Sequence, residues 1–448
     1  MTAPTRMDWK KLLDESRCTK EDAPSNDPRT PFRRDVDRIT FCDPFRRLAR
    51  KTQVHPLNEN DHVHSRLTHS LEAASVGRSL GEAVGKHIKE MGELPEGVSP
   101  TDMGEIVQAA CLAHDIGNPP FGHSGEAAIK DWFQGWFEED DVNKEDFGGA
   151  RETDFTAFDG NAMAVRVLLR TGYYTEGMNP TRAVLGALLK YPWPSSFDPA
   201  KAKFSFFQTE ADLVAETADA LGLIPMEAGR HSRPPLAFLT EAADDICYRL
   251  IDIEDATEVG IVDRRFMFDR FKGIPGLLSK ERLDQFETSH FRQRNSYLRT
   301  RLMGAAIVQI AGLFKTHYEA IKHGEFDRRS SLMEAADDGV CRVIFDTYES
   351  LKDDLFHSRR KAVLEMGAHT AIGAILDRTM AELDALCGEE SSTNRNKVRA
   401  LIGPKLVDMA TTSNNCRYPM TMTILDYVSG MTDHYARETH RKLLGLGE

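Results

Sequence analysis

The chain has 448 residues, 41% hydrophobic and 28% charged, the balance of an ordinary globular protein rather than a disordered or membrane-embedded one. Its formal net charge of −13 excludes a general nucleic-acid binder held by bulk electrostatics, so a phosphate ligand has to be met by local cations or a metal. Seven scattered cysteines without C-x-x-C spacing exclude a disulfide framework and a thiolate zinc site. The polar stretch from Met1 to Arg17 and the absence of an apolar run near the ~20 residues of a membrane span make a cytoplasmic protein the expectation.

In chain order, a basic cluster comes first: Arg33, Arg34, Arg38, Arg46, Arg47, Arg50 and Lys51. Most of its arginines read as surface partners of Asp35, Asp37 and Asp43. Apolar residues then recur at three- and four-residue spacing over 67–89, 103–113, 122–137, 161–170, 181–190 and 236–258. The same period returns over 297–321, 361–386, 394–409 and 423–444. Only 202–207 reads as a strand. The pattern predicts an all-α fold. Loops are expected at 92–100, 138–154, 191–200 and 229–235, the second an exposed acidic insertion. The division expected is an N-terminal arm over 1–28, a helical core over 29–272 and a C-terminal helical region over 273–448 packed on it. The weak join falls near Gly273 to Pro275.

The chemistry concentrates at His114-Asp115, which ends the apolar run 106–113 and precedes the turn Gly117-Asn118-Pro119-Pro120-Phe121-Gly122. Ionisable groups at the end of a buried helix need a partner or a metal. Arg66 and His69 are three residues apart and share a helix face, where an arginine fork suits phosphate oxygens. The competing reading of His69 is an ordinary buried histidine near a capped helix start. Asp244, Tyr248 and Asp252 are spaced four apart on a helix otherwise marked for burial, although Asp245, Glu254 and Asp255 on it read partly as a solvated face. His123 and Glu126 pair a histidine with a carboxylate at the start of the next helix, a general acid or base arrangement.

These motifs, in this order, resemble the HD-domain metal phosphohydrolases. More narrowly they resemble the deoxyguanosine triphosphate triphosphohydrolases, through 29–35, 45–54, 66–72, 114–123, 159–162, 189–192, 241–256 and 426–433. The resemblance runs from about Arg29 to about Leu444 and implies an HD-type helical bundle. It implies His69, His114, Asp115 and Asp244 as ligands of a divalent metal, Mg²⁺ or Mn²⁺ ahead of Fe, Ni or Co. It implies His123 as the catalytic histidine supported by Glu126, with Asn118 by the phosphates. Arg66 and Lys190 are implied as triphosphate contacts, and Gln53, Val54, Tyr248 and Asp252 as the sugar pocket. The implied reaction converts a dNTP to deoxynucleoside and inorganic triphosphate, with His123 as acid or base left open. Another nucleotide phosphoester, or dNTP or single-stranded DNA binding without turnover, are the alternatives. The family further implies a homo-oligomer, often a hexamer, and a second site for a dNTP or single-stranded DNA. The sequence departs from the family at His64, where an arginine is usual, and at Asp245, where some relatives carry a lysine. His62 reads as a surface residue.

Overall fold

The computed structural model describes residues 5–19, 26–53, 60, 62–139, 146–170, 177–197, 203–326, 331–356, 359–387, 392–403 and 417–446. The helices that matter for the site are numbered here in chain order. They are α1 (Pro31–Phe41), α2 (Arg66–Glu90), α3 (Pro100–Ala113), α4 (His123–Glu138), α5 (Gly160–Leu169), α6 (Pro235–Glu258), α7 (Phe291–Thr316), α8 (Gly339–Phe356), α9 (Arg359–Cys387), α10 (Arg417–Ser429) and α11 (Asp433–Leu443). Among the described residues there is no strand, only isolated bridges. No helix among them is long and apolar enough to cross a membrane.

Local chemistry starts the two helices that carry the first ligands. Ser65 and Thr68 form a capping box at α2, and Ser99 and Asp102 form another at α3, with Pro100 in its first turn. The two helices then pack backbone to backbone. A Cβ added at Gly81 would lie 2.6 Å from the Met103 carbonyl oxygen, so only glycine allows that approach. The close packing brings the start of α2 beside the end of α3.

Two apolar clusters fill the interior. The larger runs from Trp9 through α2, α3 and α6 to Leu298, Ile344 and Leu355, and it crosses 273–275 through Phe271 and Leu277 without a break. The smaller joins Phe133, Phe147, Phe155 and Phe158 to Ile372 and Ile375 of α9 and to Ile424 and Leu425 of α10. The C-terminal helices thus close over the segment that follows the His114-Asp115 turn.

Several expectations are corrected. Within 202–207, residue 202 lies outside the described residues, and Phe206 makes a lone bridge to Pro194. Burial of Phe204 and Phe207 in the aromatic cluster, not pairing in a sheet, orders this stretch. The stretch 423–444 is two helices, because Thr432 caps α11 by accepting from the Tyr435 amide at 3.1 Å. The stretch 297–321 starts earlier, at Phe291, and is interrupted at His317. Helix 394–409 is observed as Ser392–Leu401, and positions from 404 lie outside the described residues. Helix α8 was not anticipated.

The acidic stretch 138–154 is not simply exposed. Residues 140–145 lie outside the described residues, but Phe147 and Asp154 are fully buried. Asp154 accepts from the Ser195 and Tyr418 hydroxyls and from the Gln208 amide, tying the stretch to α10. Burial pushes its carboxyl up to about 7, against the lowering by those donors. The folded state therefore keeps a proton that the unfolded chain loses above the ordinary value of 3.8. The contribution of this group is full at low pH and lost as pH rises through that window. Asp154→Asn mimics the protonated form, so its Tm should gain on the unsubstituted protein as pH rises from about 5 to about 8. Thermal melts across that range check this, and a pH-independent difference would refute it.

Candidate metal centre and active site

His114 caps the C-terminal end of α3. Its Nδ1 donates to the Cys111 carbonyl at 2.6 Å, which leaves Nε2 as the ring atom turned to the cluster. That Nε2 is buried without a hydrogen-bond partner, and it lies 3.6 Å from Asp115 Oδ1 and 3.5 Å from Asp244 Oδ1. His69, one turn into α2, puts its Nε2 3.0 Å from the same Asp244 oxygen. The His69 and His114 rings meet edge to face at 5.2 Å. His69, His114 and Asp115 each offer one ligand atom, all within 4.8 Å of one another. Asp244, from α6, stands against the two imidazoles.

The electrostatics depart from what burial alone would give. Burial works to raise both carboxyls and to lower the imidazole, yet the reverse holds. His114 is raised to about 9 because Asp115 and Asp244 outweigh the burial. Asp244 is held well below the carboxylate range by His114 and His69, and Asp115 is lowered by Arg66 and His114. Without a metal, His114 therefore holds its proton between two ionised carboxylates, and that proton is the one a metal ion would displace. A divalent cation fits this donor set, since it takes the lone pairs and balances the charge.

The turn after Asp115 positions the remaining groups. Arg66 Nη1 pairs with Asp115 Oδ2 at 2.9 Å, and the Asn118 side-chain amide donates to Asp115 Oδ1. A Cβ at Gly117 would lie 2.1 Å from the Ala164 amide nitrogen, so the turn is pressed against α5. Phe121 and Gly122 then adopt φ of 65° and 60° and redirect the chain into α4. His123 opens α4 with its side chain 81% exposed, and its Nδ1 lies 2.8 Å from Glu126 Oε2. Glu126 is buried, and its other oxygen accepts from the Gly160 amide at 2.9 Å. Burial would raise the Glu126 carboxyl, but the His123 contact lowers it, so the histidine is held by a fixed anion.

The other expected residues are dispersed around this centre. Lys190 pairs with Glu241 at 3.1 Å, which also binds Arg233, so the lysine is oriented by α6. Tyr248 meets Tyr348 of α8 edge to face at 5.2 Å, and the Tyr348 hydroxyl donates to Asp252 Oδ2 at 3.3 Å. The other Asp252 oxygen is buried without a partner, and burial together with Asp255 pushes the carboxyl up to about 8. Gln53 is half-buried and its side-chain oxygen has no hydrogen-bond partner. Val54 lies outside the described residues.

The solvated face expected on α6 is not there. Asp245 is paired with Arg249 at 2.7 Å, Asp255 with His64 at 2.8 Å and Glu254 with Arg299. A cation one turn on along α6, for Asp245, and cations on other segments, for Asp255 and Glu254, make their burial tolerable. His64 is therefore an interior group, whereas His62 is exposed. In the basic cluster, Asp37 pairs with Arg29 and Arg33, but Asp35 is buried against Arg17. Lys51 is also buried, donating to the Asn118 and Ser429 carbonyls. Lys51, Thr52 and Asp433 carried no assigned role in the sequence, though they lie within family-like stretches, and Tyr348 lies outside all of these.

The donor set makes two variants informative. His114→Ala should abolish stoichiometric Mn²⁺ binding. Asn118→Ala should retain binding but weaken it roughly 10–100-fold by releasing Asp115. Calorimetric titration and metal content test both, and unchanged affinity in His114→Ala would exclude the centre.

Comparison with known proteins identifies the family. The HD domain family model matches residues 66–150, which span His69, His114, Asp115, His123 and Glu126. A deoxyguanosinetriphosphate triphosphohydrolase-like protein of Pseudomonas aeruginosa is 38% identical over 458 residues, covering 98% of this chain and 99% of that protein. A protein of the same description from Synechocystis is 34% identical, covering 98% and 100%. A deoxyguanosinetriphosphate triphosphohydrolase of Klebsiella pneumoniae is 30% identical, covering 93% and 94%. With near-complete coverage at these identities, the chain belongs to the deoxyguanosinetriphosphate triphosphohydrolase-like family of HD-domain proteins.

Proposed function

We propose that this protein is a metal-dependent dNTP triphosphohydrolase, releasing deoxynucleoside and intact inorganic triphosphate. The observation that carries the reading is the exposed His123, held by buried Glu126 in the same turn that follows the His-His-Asp cluster. A divalent ion held by His69, His114, Asp115 and Asp244 would polarise the α-phosphate and its attacking water. Two imidazoles and two carboxylates suit Mn²⁺ at least as well as Mg²⁺, and admit Fe, Ni or Co.

The chain's own residues supply the rest. Arg66 lies against Asp115, where its guanidinium meets negative charge next to the reacting phosphorus. Lys190 is oriented towards the acidic face of α6 and adds a second cation for the phosphate tail. Water adds at the α-phosphorus, the bond to the sugar 5′-oxygen breaks, and that oxygen needs a proton. His123, tethered through Nδ1 to Glu126, would deliver it. Tyr248 lies one turn and Asp252 two turns beyond Asp244 on α6, so one rigid helix spans from the metal centre to the sugar pocket. The aromatic wall of Tyr248 and Tyr348 would exclude water and crowd a ribose 2′-hydroxyl.

The decisive assay offers each dNTP and GTP with Mg²⁺ or Mn²⁺, alone, mixed and with single-stranded DNA. Chromatography should detect deoxynucleoside and triphosphate in equal amounts. Free phosphate from a monophosphate, or tight dNTP binding with no product, would replace this reading with another phosphohydrolase or a sensor. His123→Ala should lower kcat roughly 10²–10⁴-fold while leaving Mn²⁺ binding intact. An unchanged kcat would remove His123 from the reaction.

A further inference from the structure

We propose that Asp433 is a positioning residue for the catalytic turn, holding Phe121 in its left-handed conformation and so fixing where His123 starts α4; the proposal rests on the hydrolase reading above. Asp433 opens α11 and is buried. Its Oδ1 accepts the Phe121 amide at 2.8 Å, and its Oδ2 accepts the Thr52 amide at 3.0 Å and the Thr52 hydroxyl. One carboxylate thereby joins the segment before Gln53 to the turn before His123.

The Phe121 contact bears on catalysis because of the backbone it holds. Phe121 is one of two non-glycine residues with positive φ among the described residues. A β-carbon makes that conformation unfavourable; the turn's own bond, from the Gly122 amide to the Pro119 carbonyl, is long at 3.3 Å, so a restraint from outside adds to it. Helix α4 has no side-chain cap on its first amides, so the turn is not fixed from within the helix. A bond from an ionised acceptor to the Phe121 amide supplies the restraint at the right atom. Beneath the turn, Arg66 fills the space beside Gly122, where an added Cβ would lie 2.8 Å from Nη2.

A second fastening runs parallel to the first. Lys51 Nζ donates to the carbonyls of Asn118 and Ser429, the latter at 2.8 Å. Residues 51–52 are therefore clamped between the turn over 118–121 and the segment 429–433. Asp433 is hydrogen-bonded to no metal ligand; it reaches the turn directly at Phe121 and, less directly, through Thr52 beside Lys51.

A double-mutant cycle tests this. Asp433→Asn keeps the size but puts an N–H among three donors. In the otherwise unsubstituted protein it should lower kcat roughly tenfold, the rate equivalent of an unrestrained non-glycine residue in the left-handed region. Mn²⁺ affinity should stay within about twofold, because none of the expected metal ligands is bonded to Asp433. In a Phe121→Gly background the same substitution should lower kcat by less than about twofold, since glycine takes that conformation unaided. Equal losses in both backgrounds, or a loss explained by weaker Mn²⁺ binding, would overturn the proposal. If Asp433→Asn does not fold, Asp433→Ser, too short to reach Phe121, takes its place in the cycle. Hydrogen exchange gives a readout that needs no substrate: the peptide over 117–123 should exchange faster in the variant. Unchanged exchange there overturns the positioning role even if the unsubstituted protein releases no triphosphate, an outcome that would instead defeat the hydrolase reading.

Discussion

Two ionised carboxylates and two imidazoles share one buried point where α2, α3 and α6 meet. Such a cluster is tolerable only if its charges are balanced and its lone pairs used, and much of the surrounding structure serves that balance. The tight approach of α2 and α3 at Gly81 brings His69 to His114. The Cys111 carbonyl fixes the His114 tautomer, and Arg66 and Asn118 aim Asp115. Each of these contacts is local in space, and each concerns a ligand or the residue beside it.

The wider electrostatics follow the same rule. In a chain of net charge −13, a polyanion would have to be met by cations set inside, one by one. Arg66, Lys190, Lys51 and Arg249 are all drawn inward and held by named acceptors: Asp115, Glu241, two carbonyls, and Asp245. Asp252 is the exception, a buried carboxyl with one oxygen unpartnered and its proton retained to about 8. A neutral carboxyl can both donate and accept, which suits a sugar hydroxyl better than an anion would.

Much of this was legible from spacing alone. The helical period gave α2, α3, α4 and α6 within a few residues, because their apolar stripes and caps are properties of the segment itself. The pairing of His123 with Glu126 followed from three-residue spacing. The failures share a different cause. Asp255 and Glu254 looked solvated because His64 and Arg299 approach from distant segments. Lys51 stood in the basic cluster with no partner assigned to it, because its acceptors are backbone carbonyls, which carry no sequence signature. The break between α10 and α11 hid in a continuous apolar pattern, since only the Thr432 cap and the use made of Asp433 require it.

The fastening of residues 51–52 and 118–121 to the segment 429–433 also imposes an order on assembly. Thr52 and Asp433 are 381 positions apart, and Phe121 and Asp433 are 312 apart. All four expected metal ligands emerge from the ribosome before α10 and α11 are synthesised, so the ligand cluster can form early around its own helices. The turn that launches His123 is secured only when the last helices arrive, and contacts of such long range form late because the loop they close is large. Gathering of the expected ligands and fastening of the turn are thereby separated in time during synthesis, and a nascent chain that has brought those side chains together still lacks the restraint on the turn before His123.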